Sequence, residues 1–320
     1  MPAGTSTVSP LLTRLVRQLG VNNSFIFDKV PGVPFTSRDG SYVQLDEGTF
    51  TGDNNAPDSE MGRRQIGGKY RSFDFGTTET TFQMEEFYAY KKYDWGEKQN
   101  ADGPMLDTAG RAAVHSRHNI ARELGCHDLF FTTGNWTNAA TAAGDRFNNV
   151  NSNPPNVVRA QWEATEVSAA NGGGRRVMII PPVAMNHLKA HPVYTDVNAR
   201  GEITSFGTHE QIAKSFDVMP EDLWVPRAVR STQTKTRAMT ATEARIWSEA
   251  QVWMGYLPTT ISEGELTAAA YLYMGSDMPE VRRGEVDNGD ERYDWMREVS
   301  VGAYIAVETG GARLLTTVYA

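Results

Sequence analysis

Six histidines and a single cysteine carry most of the reactive chemistry this chain could offer. His187 and His191 stand four apart, a spacing that puts two imidazoles on one helix face and could hold a metal ion. His191 precedes Pro192, which puts it at the helix end, and Leu188-Lys189-Ala190 stand where a zinc protease carries its glutamate. His115 and His118 are three apart with no acid at helical spacing nearby, which points to packing or surface roles. Cys126-His127-Asp128 lines up a nucleophile, a base and an orienter in one run. Adjacent side chains diverge, however, and working triads draw on separate segments. The run reads as a buried free cysteine just past a helix end.

The glycine motifs are equally plain. Residues 62–69, Gly-Arg-Arg-Gln-Ile-Gly-Gly-Lys, miss the phosphate-binding loop: the lysine comes one place late, Tyr70 replaces the hydroxyl residue, and no apolar strand precedes them. Gly172-Gly173-Gly174 leads into a strand, whereas a dinucleotide fingerprint opens a helix. Asp287-Asn288-Gly289-Asp290 fails the calcium-loop spacing but makes a good hairpin turn. Glu163 and Glu166 share a helix face, more often a solvated surface than an acid–base pair. There is no G-x-S-x-G elbow. No catalytic residue, cofactor site or metal site is assigned, and the chain reads as non-enzymatic.

Bulk properties narrow the class further. With 320 residues, 22% charged and 40% hydrophobic, the chain can bury a sizeable core as one large or two ordinary domains. The net charge of −8 argues against a dedicated nucleic-acid binder, which needs a basic footprint. A lone Cys126 excludes an intrachain disulfide and a cysteine-based zinc site. No apolar run approaches the roughly 20 residues that span a bilayer, and the N-terminus lacks a signal-peptide pattern. The glycosylation-type triplets at Asn22 and Asn135 therefore carry no meaning.

The elements that would position these residues follow from periodicity. Residues 9–20 form a short amphipathic helix: Ser9 caps it, Pro10 opens it and Gly20 stops it. Asn22 to Phe50 is extended and turn-rich, with Pro31, Pro34 and the Asp39-Gly40 turn. Two arms, 40–50 and 69–82, pair as a hairpin around a polar tip at 51–68. Such a hairpin is marginal alone and needs another surface. At that tip Arg63, Arg64, Lys69 and Arg71 interleave with Tyr70, which suits contact with an acidic patch on a neighbour. Helices are expected over 107–125 (stopped by Gly125), 156–170, 183–190 and 208–216. Arg176 to Pro181 reads as a buried strand. Residues 223–229, 244–253 and 266–274 read as strands of one mixed sheet with the helices before them. In 286–318, Val299, Val301, Ala303, Ile305 and Val307 alternate with polar residues or glycine.

The run Phe25-Ile26-Phe27-Asp28-Lys29-Val30-Pro31-Gly32-Val33-Pro34 resembles the N-terminal arm and E-loop entry of tailed-phage major capsid proteins with the HK97 fold, and later pieces match in order. The resemblance implies an α+β capsid fold: N-terminal arm at 1–37, extended hairpin E-loop at 38–85, P-domain with a long spine helix at 86–172 joined by strands at 284–320, and A-domain with a mixed sheet flanked by helices at 173–283. It implies pentamers and hexamers closing an icosahedral head around double-stranded DNA held without sequence preference. Partners would be other copies of the chain, a portal protein, and scaffolding and decoration proteins, with no membrane. The location would be the virion, assembled in the host bacterial cytoplasm. About 20 residues precede Asn22, so no large fused scaffolding domain is expected. Lys69 has no asparagine partner or acidic catalyst assigned, so crosslinking is not expected. Two other readings are an encapsulin-like nanocompartment shell and a soluble α+β metal-dependent hydrolase using His187 and His191.

Overall fold

The computed structural model describes residues 25–45, 77–94, 103–168, 175–197, 203–231, 243–261, 267–275, 279–287 and 292–320. The amphipathic run 9–20, the basic tip residues, residues 62–69 and 172–174, and the turn at Asn288-Gly289 lie outside them.

A 15-residue strand organises the first sheet. Its alternating apolar and polar residues over 292–306 form β15 (Arg292–Ala306). β4 (Glu85–Asp94) runs antiparallel along one side of it, from Tyr293↔Asp94 to Gly302↔Glu85. The other side is shared by β14 (Glu280–Asp287) and β13 (Ala269–Met274), both antiparallel to β15. β1 (Gly32–Phe35) adds to β13 in parallel, fixed by the amide of Tyr271 donating to the Pro31 carbonyl at 2.9 Å.

Period-two patterning splits β4 between two faces. Ala89 and Tyr93 are buried with Val114 and Met296, whereas Tyr88 and Tyr90 face outward. The covering element on the inner face is the helix α1 (Gly103–Phe131).

The helix was expected to end at Gly125, yet it runs six residues further. Gly125 is small for packing. A Cβ there would come 2.8 Å from the Phe87 ring and 3.2 Å from Tyr304. The glycine lets the helix lie close on β4 and β15, where Phe87 and Tyr304 meet edge to face. Burial of Cys126, Leu129, Phe130 and Phe131 outweighs the helix penalty of glycine, about 1 kcal/mol.

The second sheet has the order β5 (Thr137–Ala140), β16 (Ala312–Thr316), β12 (Gln251–Tyr256), β6 (Arg176–Ile179), β9 (Leu223–Trp224). Both of its faces are covered, so β6 and β12 read as continuous apolar runs. On one face Val252, Met254 and Tyr256 meet α2 (Pro154–Ser168), α3 (Pro182–Ala190) and α4 (His209–Ser215) through Trp162, Leu188 and Ile212. On the other face Trp253, Ile179 and Leu314 meet the end of α1 and Trp136. α4 is closed by a capping box between Thr208 and Gln211.

Three two-stranded ladders complete the described residues: β2 (Asp39–Leu45) with β3 (Thr77–Gln83), β7 (Asp196–Val197) with β8 (Ile203–Ser205), and β10 (Val229–Ser231) with β11 (Glu243–Arg245).

The single mixed sheet expected from 223–229, 244–253 and 266–274 is corrected here. β9 and β12 belong to the second sheet, β13 to the first, and β10 and β11 to a ladder of their own. Period alone reports which faces of a strand are buried. It does not report which strand lies beside it.

Candidate functional site

The sequence-derived chemical candidates resolve into structural staples. His191 caps α3 and is buried. Its Nδ1 accepts from the Val193 amide at 3.2 Å, and Nε2 lies 2.9 Å from the Asn149 carbonyl and 3.1 Å from Ser152 Oγ. Both nitrogens are thereby used locally, and the His187 ring rests against Tyr319 instead. Glu166 is bonded by Arg176, which also reaches Asp217. Asn135, the glycosylation-type asparagine, donates to the Leu129 carbonyl at 2.9 Å.

His115 and His118 do have an acidic neighbour. His115 Nδ1 lies 2.8 Å from Glu298 Oε1, and His118 Nδ1 is 3.5 Å from the same oxygen. His118 Nε2 meets Ser300 Oγ at 2.9 Å. Glu298 comes from β15, some 180 positions away, so no local sequence signal could have found it. Burial pushes the His118 imidazole below its ordinary range, against the pull of Glu298. The group fastens α1 to β15, and its one hydroxyl, Ser300, is buried with His118 and Glu298.

Cys126-His127-Asp128 occupies the last turns of α1, not the segment beyond it. Cys126 is fully buried, and that burial holds its thiol well above the ordinary range, the opposite of an activated nucleophile. His127 Nε2 meets Glu249 at 3.1 Å and Nδ1 meets Asp128 at 3.2 Å. Burial works to lower this pKa, but the hydrogen bonds to Glu249 and Asp128 outweigh it and raise it above the ordinary 6.5. A raised folded-state value means the folded chain binds the proton more tightly. The stabilisation is complete below 6.5 and is lost as pH rises through the folded value. Thermal denaturation between about pH 6 and about pH 9 should therefore show a fall in melting temperature that His127→Gln flattens.

What remains unpartnered is surface. On β4 and β15 the outward rows bring together Tyr88, Tyr90, Tyr293, Trp295 and Arg297 around an open depression of about 510 Å3. Tyr88 is 61% exposed and Tyr90 45%. Trp295 lies flat across Gly284, where a Cβ would come 2.6 Å from the indole. Lys92 Nζ sits 3.6 Å above the Tyr293 ring. Exposed aromatics gathered on one sheet face mark contact with another macromolecule more often than chemistry. The ladder of β2 and β3, in register from Asp39↔Gln83 to Leu45↔Thr77, lays Phe82 and Tyr42 against Phe35, Leu272 and Ile305.

No protein-family model matches the sequence, and no curated protein matches it. Solved structures do. A phage-related protein from Bordetella bronchiseptica RB50 superposes with a TM-score of 0.62 at 15% identity, over 98% of both chains. The capsid of a native GTA particle gives 0.52 at 9% identity over 98% of this chain and 94% of that one. The mature capsid of bacteriophage PhiM1 gives 0.52 at 9% identity over 92% and 87%. The fold is the HK97-like fold of phage capsid proteins. The fold is mixed α+β, with four α-helices among the described residues, and the staples described above hold its elements together.

Proposed function

We propose that the chain is the major capsid, or head shell, protein of a tailed phage. The observation that carries this reading is the near end-to-end superposition on phage-related and capsid structures, 98% of this chain in two cases. The reading is supported by the exposed aromatic row of β4 and β15, where Tyr88 and Tyr90 stand open among the described residues. Copies would form pentamers and hexamers that close into an icosahedral head around double-stranded DNA. A portal protein would occupy one vertex, and scaffolding and decoration proteins are further partners. The protein acts by geometry and not by catalysis, and resides in the virion after assembly in the host bacterial cytoplasm.

Within this reading residues 1–37 are the N-terminal arm and 38–85 the E-loop, with the β2–β3 ladder at its base. Residues 86–172, with α1 and α2, join the strands of 284–320 as the P-domain, whose platform is the first sheet under α1, and 173–283, with α3 and α4, is the A-domain. β13 crosses from the A-domain range into the platform sheet, and β16 crosses back, so the two domains are interlocked. Electron microscopy of the purified, expressed chain tests the assignment: closed or tubular assemblies are expected, and a persistent monomer would overturn it.

A further inference from the structure

Glu123 is fully buried in the middle of α1, and its two oxygens are divided between two parts of the chain. Oε2 accepts the backbone amides of Ile26 at 2.8 Å and Phe27 at 3.1 Å. Oε1 accepts the indole N–H of Trp247 at 2.7 Å. The segment from Phe25 to Val30 is thereby held on α1, with Ile26, Phe27 and Val30 buried. Beyond Pro31 the chain is secured independently by the pairing of β1 with β13.

The charges around this carboxyl do not balance it. All three donors are neutral. Asp28 on the segment adds repulsion, and Cys126 on α1 is held as the neutral thiol. Arg122 on α1 lies over the Phe27 and Tyr271 rings, 4.4 and 5.0 Å from their centres, and faces Asp28 at 3.9 Å. Lys29 is turned to Trp224, and Glu249, two residues past Trp247, to His127. Burial holds the Tyr304 phenol of β15 well above its ordinary range.

We propose that Glu123 is a proton-operated clasp, gripping the Phe25–Val30 segment most firmly in acid and loosening it as the pH rises toward neutrality. The oxygens allow this. A proton on Oε1 weakens only the bond from Trp247, because Oε2 remains a carbonyl-type acceptor for both segment amides. Ionisation restores the Trp247 bond but leaves an uncompensated charge in a dry site, which opening relieves by hydration. Burial is the main cause that raises the Glu123 pKa to about 6, from 4.5. The closed state therefore binds the proton more tightly than the open one, and deprotonation favours opening.

The test is amide hydrogen exchange of the 25–30 peptide in the full-length chain, corrected for intrinsic rates, from about pH 5 to about pH 7.5. Protection should fall roughly eightfold over that range, the ratio set by proton affinities of about 6 closed and about 4.5 open. Glu123→Gln should abolish the dependence. Should that variant not fold, Trp247→Phe removes one of the three donors to the carboxylate and should extend the fall to higher pH. Protection that does not change with pH in the wild-type chain, an unchanged slope in Glu123→Gln, or an unmoved transition in Trp247→Phe would each overturn the clasp. Failure to form shells would bear on the capsid assignment alone, because this measurement reports a contact inside one chain.

Discussion

Trp253→Ala should destabilise the chain by about 3–5 kcal/mol, the usual cost of emptying a large buried aromatic site. Trp253 has no exposed surface and stands where the second sheet meets the end of α1. Phe130 meets it edge to face at 4.6 Å and Trp136 at 5.6 Å. Ile179 and Leu314 flank it on the neighbouring strands. These neighbours come from α1, β6, β16 and the segment after α1, so the vacancy cannot collapse without moving several elements. Trp253→Phe isolates the packing contribution. The indole N–H meets no acceptor among the described residues. Losing it removes no hydrogen bond, and the cost should be about 1–2 kcal/mol. Urea unfolding midpoints of the purified chain separate the two variants. Equal, small losses for both would mean that the two sheets do not depend on this contact.

Gly302→Val should be the second large loss, about 3 kcal/mol, through crowding and not through a cavity. Gly302 lies on β15 between Tyr273 of β13 and Glu85 of β4. A Cβ at this position would sit 2.5 Å from the Tyr271 ring and 2.6 Å from the backbone carbonyl oxygen of Leu272. A ring can turn aside, but a ladder carbonyl cannot without breaking the β13–β15 pairing. Tyr271 also stacks on Tyr304 at 4.6 Å, so its own retreat is limited. Relaxation should therefore open the junction at which β15 changes partner from β14 to β13. Early exchange of the β13 amides, together with a lowered unfolding midpoint, is the expected signature. Wild-type stability in this variant would mean that the close approach is not maintained in solution.

Local rules made much of this fold legible. The short helix α4, the apolar run that becomes β6, the hairpin arms of β2 and β3, and the alternation along β15 are each decided by residues within a few positions of one another. The misses share one cause. Gly125 looks like a helix stop until Phe87 and Tyr304, brought from two other strands, explain its size. The strands β9, β12 and β13 look alike in period, and only the partners they meet divide them between sheets. Glu298 completes the His115–His118 group from the far end of the chain, and Glu123 becomes an anchor only once residues about 97 positions earlier pack against it. Contacts of this reach leave no periodic trace in sequence.

The last described stretch of the polypeptide supplies both β15 and β16. β4 and β13 find their common neighbour in β15, and β5 and β12 find theirs in β16. While the ribosome is still synthesising the chain, neither sheet can close, and β4 waits for a mate some 200 residues downstream. Topologies of this kind fold slowly and leave sticky edges bare in the meantime. They also act as a quality check: a prematurely terminated product lacks the strands that join both sheets, so neither sheet can be completed.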